Sequence, residues 1–274
     1  MSAGAFDIPG LFASISLVKS VLLTWDKLGA MAPPAYHPVA NMKIALFGIS
    51  EIKVGKHNLK DPRLDQADKL IEADKKTYAQ ADVIGEDEVL DADAILALND
   101  NKADLILKDL EFVETRLGRD PQTAERAALE KIKSLLESER FLFNSGLAPE
   151  DIQAVAAHSF YTNKPVALAA KEELVEPETL LLRAFQQAGY ISFLTVGGKE
   201  NRAWPIRKGL TAWEAAGSIH TDLQKGFIRA EIIGFEDFIT AGGETQAKRA
   251  GKQRLETKQY IMQDFDLVNF RFNK

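Results

Sequence analysis

The chain has 274 residues, 46% of them hydrophobic and 27% charged, with a net charge of −6 and no cysteine. Without cysteine there are no disulfides, thiolate metal sites or cysteine nucleophiles, and the composition is that of a globular, cytoplasmic protein. The charge is uneven: from Tyr190 onward 13 Lys/Arg stand against 10 Asp/Glu, a surplus of +3, so the preceding part carries −9 and the basic end reads as a partner-binding end.

No stretch reaches the roughly 18 uninterrupted apolar residues of a membrane span. Within residues 11–29, Leu11, Ile15, Val18, Leu22 and Trp25 fall at helical spacing, which predicts a short amphipathic helix. Asp7, Lys19 and Asp26, with no basic start, argue against a signal peptide. Pro33, Pro34 and Pro38 then break the chain. Residues 1–41 therefore read as an N-terminal extension, unstructured or a short helix, and the folded pattern begins at Met42.

An apolar strand, Lys43 to Phe47, runs into Gly48, and Gly55-Lys56 follows. A phosphate-binding loop needs Gly, four residues, Gly-Lys, then Ser or Thr. Its backbone N–H groups cradle the phosphates, Lys reaches the outer ones and the hydroxyl holds Mg²⁺. Here six residues, Ile49 to Val54, separate the glycines, and His57 stands where the hydroxyl belongs. Two extra residues reshape the nest of N–H groups, and imidazole is a soft ligand for a cation that prefers oxygen. Gly48, Gly55, Lys56 and His57 are vestigial nucleotide-binding candidates. The bland alternatives are a solvated loop lysine and a surface or capping histidine.

Asp61-Pro62-Arg63 opens a polar helix to about Ala73, and Lys76 to Ile84 reads as one strand with an acidic turn, Gly85 to Glu88, behind it. Ala94 to Leu98 reads as a buried parallel strand. Lys102 to Leu117 carries Ile106, Leu110, Val113 and Leu117 on one helical stripe. Gly118-Arg119-Asp120-Pro121 reads as a stop, a cap and a first turn. Ala124, Ala128, Ile132 and Leu135 continue the stripe to about Glu139, so residues 102–139 form a helical hairpin. A short helix from Pro149, a strand from Lys164 to Ala169 and a helix over Glu178–Ala188 follow. Beyond Gly189 the strands Ile191–Val196, Arg202–Ile206, Gly226–Ile233 and Leu267–Phe272, with a helix near Ala212–Ala216, make a β-grasp order.

The run Ala203-Trp204-Pro205-Ile206-Arg207-Lys208-Gly209 is followed by Gly217-Ser218-Ile219-His220-Thr221-Asp222, by Lys225-Gly226-Phe227-Ile228-Arg229-Ala230-Glu231 and by the closing Phe270-Arg271-Phe272-Asn273. This resembles the TGS-like β-grasp domain of the YchF family of Obg-like P-loop ATPases. Upstream, Asp61-Pro62-Arg63-Leu64-Asp65, Lys75-Lys76-Thr77, Lys108-Asp109-Leu110-Glu111 and Lys164-Pro165-Val166 resemble the same family more loosely. The departures all fall upstream: the altered loop, Asp82-Val83-Ile84-Gly85 as a remnant of the γ-phosphate-sensing DxxG loop, a missing glycine-rich switch, and Ala169-Ala170-Lys171-Glu172-Glu173 where the base-reading Asn-x-x-Glu belongs. Phosphoryl transfer rests on positioning and electrostatics, so losing the metal ligand and switch together abolishes turnover.

The resemblance implies an α/β architecture: a reduced P-loop NTPase-like domain over residues 42–189, with the hairpin arm, then a TGS-like, ubiquitin-like β-grasp domain over 190–274. It implies a non-catalytic, ribosome- or RNA-contacting protein. Arg202, Arg207, Lys208, His220, Lys225 and Arg229 are the candidate partner surface. The alternatives are a weak ATP- or GTP-binding protein that uses Mg²⁺ with residual hydrolysis, and a protein-binding scaffold. No metal or catalytic residue is expected, and His158, with no Cys or clustered His nearby, does not read as a metal ligand.

Overall fold

In the computed structural model, which describes residues 42–273, the apolar run Met42–Phe47 forms β1, with Ile44 and Ala45 fully buried. It is the central strand of a five-stranded sheet in the order β2-β4-β1-β5-β6. Strands β4 (Ala79–Ile84) and β5 (Ala94–Leu98) flank β1 in parallel, and β6 (Val166–Ala169) runs parallel to β5. The outer strand β2 (Gly55–Leu59) is antiparallel to β4. Such strands, covered on both faces, need near-continuous apolar residues, and Ala94–Leu98 supplies them. The helix expected over 11–29 lies outside the described residues.

Helix α1 (Pro62–Leu70) begins at Asp61, whose carboxylate accepts the Arg63 amide, with Pro62 in the first turn. The single strand expected over Lys76–Ile84 is two. Lys75–Thr77 forms β3, which leaves the first sheet and pairs in parallel with the far edge of the second, while β4 starts at Ala79. The acidic turn is a 3-10 segment, Glu86–Asp91, with Val89 buried.

Helices α2 (Lys102–Leu117) and α3 (Thr123–Glu137) form the expected hairpin. Its apolar seam (Ile106, Val113, Ala128, Leu129, Ile132 and Leu136) continues into Leu142, Val155 and Phe160. The segment after the hairpin, including α4 (Pro149–Ala154), thus closes over it. Asp120 does not cap α3. It takes a left-handed φ of 52° and pairs with Arg126, while Gln122 precedes the first helical residue.

Helix α5 (Pro177–Gln187) packs Leu180, Leu181, Ala184 and Phe185 across the first sheet. Beyond it, β7 (Tyr190–Thr195) and β8 (Glu200–Arg207) form a hairpin; β9 (Phe227–Ile233) pairs antiparallel with β11 (Leu267–Phe272), which meets β7 in parallel. With the short β10 (Arg254–Glu256) the order is β10-β9-β11-β7-β8-β3, a β-grasp sheet extended at both edges. Helix α6 (Ala212–Ile219) buries Ala212, Ala215 and Ala216 on one face, against Phe193, Ile232 and Phe270, and α7 (Thr221–Lys225) follows it.

The other face, with α8 (Phe235–Ala241) and α9 (Glu244–Arg249), does not form a separate core. Leu194, Ala203, Ile233, Phe235, Phe238, Phe265 and Leu267 join one cluster with Ile44, Leu59, Leu64 and Leu180. Side-chain ties reinforce it: Asn201 donates to Asp68 and to the Ile71 carbonyl, and Arg207 pairs with Asp93.

Candidate functional site

In open α/β sheets, ligands bind beyond the carboxyl ends of the strands. At that edge here stands Gly48, with φ 67°, where a Cβ would come within 2.3 Å of Asn101 Oδ1. A left-handed φ of this kind favours glycine, which has no Cβ to strain it. Its N–H donates to Glu86 Oε2 at 3.3 Å, and Lys108 Nζ lies 3.8 Å from Glu86 Oε1, over the rings of Phe47 and Tyr161. The loop beyond Gly48 is anchored by Ile49 and Ile52, both buried in the main core. At its tip the amides of Glu51 and Ser50 hold the Glu51 carboxyl below its usual range. Gly85 ends β4 and leads into Glu86.

The remaining loop candidates are placed differently from the sequence expectation. A phosphate cradle needs successive N–H groups converging at a helix start. Gly55 and Lys56 instead open strand β2, opposite Val83 and Asp82, and in a strand successive amides point to opposite sides. His57 Nε2 donates to the Lys53 carbonyl at 2.6 Å and so closes its own loop. Asp82 lies within β4, in register with Lys43 and Lys56 rather than at the strand end. Gly48, Gly55 and Gly85 therefore share one edge, while Lys56, His57 and Asp82 do not converge with them on a common point.

At the base-reading position, residues 171–175 form a 3-10 segment. Glu173 Oε2 accepts the Ala170 amide at 2.7 Å, and its two oxygens bind Arg183 at 3.0 and 3.3 Å. The Arg183 guanidinium holds its carboxyl below the ordinary range. Glu51, Glu86 and Glu173 thus present three internal anions at this edge. In the sequence Glu86 stands out only as part of the acidic turn and Glu173 only as part of the stretch at the base-reading position, and nothing marks Glu51. Among the described residues no cluster of three or more metal-ligating side chains occurs.

The six basic candidates of the C-terminal module do not form one face. Side chains alternate along a strand, so Arg202 lies with Trp204, its guanidinium 3.9 Å from that ring, whereas Arg207 points to the opposite face. There Arg207 covers the Tyr190 ring at 4.6 Å and pairs with Asp93, which makes it an inter-sheet tie rather than a free cation. Lys208 is exposed, and its amide donates to the Gly189 carbonyl at 2.8 Å. His220 caps α7, its Nδ1 accepting the Asp222 amide at 3.1 Å, and is an exposed side chain. Lys225 ends that helix, and Arg229 sits across from Arg271 on β9–β11. His220 and Lys225 thus stand at the two ends of α7, apart from Arg202 and Arg207, while Arg229 lies on the sheet face that carries Glu231 and Arg271. Trp204 packs against the α6 core, its ring stacked 6.3 Å from Phe193.

Residues 190–273 match the family YchF-GTPase_C, described as "Protein of unknown function (DUF933)". The chain is 35% identical over 232 residues to the ribosome-binding ATPase YchF of Haemophilus influenzae, covering 62% of this chain and 64% of that protein. To its Escherichia coli O157:H7 counterpart it is 36% identical over 244 residues, 66% of each chain. To Obg-like ATPase 1 of Gallus gallus it is 49% identical over 92 residues, 32% of this chain and 23% of that one. The chain thus spans about two-thirds of the length of its bacterial relatives. Among solved structures, that of the Schizosaccharomyces pombe YchF GTPase superposes with a TM-score of 0.65 over 86% of this chain and 99% of that one, at 18% identity, a likeness of fold. With the C-terminal module matched along its whole length and the bacterial relatives aligned well beyond it, this chain belongs to the YchF family of Obg-like proteins.

Proposed function

We propose that this chain is a cytoplasmic ribosome- or RNA-contacting protein that acts through its C-terminal module and does not hydrolyse nucleotide. One observation carries the second half of that reading: the strand-end edge is filled by the chain's own groups. Glu86 takes the Gly48 amide, Glu51 takes the loop amides, and Gly55-Lys56 lies in an edge strand. A triphosphate would have to displace carboxylates and approach an acidic edge, and like charges in one site repel it. The first half rests on the relatives, named ribosome-binding ATPases, and on the basic surplus of the C-terminal module.

Calorimetric titration with ATP and with GTP, each with Mg²⁺, tests whether the strand-end edge still takes nucleotide. The expected result is no binding tighter than about millimolar, roughly −4 kcal/mol. Micromolar affinity that disappears in Lys56→Ala would overturn it and restore a working nucleotide site. For the partner, the protein is expected to co-fractionate with ribosomes on a low-salt sucrose gradient and to leave them as salt rises. Protein that stays at the top of that gradient leaves only the protein-binding scaffold.

A further inference from the structure

We draw no further inference here: the strongest candidate, the outer face of the second sheet on which Arg229 of β9 stands directly opposite Arg271 of β11, has Arg271 bound to the buried Glu231, and nothing in the structure shows what covers it.

Discussion

Glu125, on the first turn of α3, receives the Arg116 guanidinium at 2.6 and 2.8 Å and lies 2.7 Å from His158 Nε2. The Phe112 ring meets His158 edge-on at a centroid distance of 5.2 Å, so the histidine that did not read as a metal ligand is a structural partner of the hairpin. Arg116 first and His158 second pull the Glu125 carboxyl from 4.5 down to about 2. A carboxyl depressed on folding contributes stability that is present above its unfolded value and is lost as pH falls through the folded one. Thermal melts of wild type and Glu125→Gln from pH 7 to pH 2 should therefore show a gap in Tm that is constant above about pH 5 and closes towards pH 2. A gap independent of pH would mean that the carboxylate is not held as described. Nearby, buried Asp109 accepts the amides of Tyr161 and Thr162 and the Thr162 hydroxyl, all within 2.8 Å, and so fixes the approach to β6.

The loop between β1 and β2 is the element whose spelling and structure diverge most. Its glycine-lysine pair spells a phosphate loop, yet Ile49 and Ile52 turn inward and join the cluster that includes Leu46 and Leu180. A loop that exposes its backbone to a ligand tolerates side-chain trimming, with changes usually within about 0.5 kcal/mol. A loop plugged into a core does not. Ile52→Ala should cost about 2–4 kcal/mol, from lost burial plus the cavity left behind, measured by urea denaturation. A loss below about 1 kcal/mol would return the loop to the surface. The same contrast holds for β2: its register opposite β4 was invisible because Gly55-Lys56-His57-Asn58 lacks the alternating apolar pattern that marks a strand.

For the whole molecule, the boundary at residue 190 marks a change of sheet, and one core runs across it while the core under α6 lies wholly beyond it. Strand β3, from far upstream, completes the second sheet's edge, and Arg63 is a second stitch: it binds Asp61 and Asp264 while its guanidinium lies 3.7 Å over the Phe265 ring. A fragment of residues 190–274 carries the strands, α6 and the aromatics Phe193, Trp204, Phe227 and Phe270 that suggest independence. It also uncovers Leu194, Ala203, Phe235, Phe238 and Leu267, which pack against the first module. Exposed patches of this kind bind dye and aggregate. We expect the fragment to bind ANS and to unfold without a sharp transition, where the full chain melts cooperatively. A cooperative melt without ANS binding would show that the β-grasp sheet closes its own core.

By itself the sequence determined the elements whose residues interact locally: the helical hairpin through its 3.6-residue stripe, the parallel strand Ala94–Leu98 through its apolar run, α1 through the Asp61-Pro62 start, and the β-grasp order through its strand spacing. Most of their bounds agree with the structure to within one to three residues. Only the tertiary structure decided where groups distant in sequence meet. It sent Lys75–Thr77 to the second sheet, placed Arg207 on Asp93, and brought Glu86 to the Gly48 amide across 38 positions. It also divided the basic residues of the C-terminal module between two faces. The reason is physical: periodicity and capping act over a few residues along the chain, whereas pairing of strands and satisfaction of buried or converging charges depend on which distant partners the packed core brings within hydrogen-bond reach.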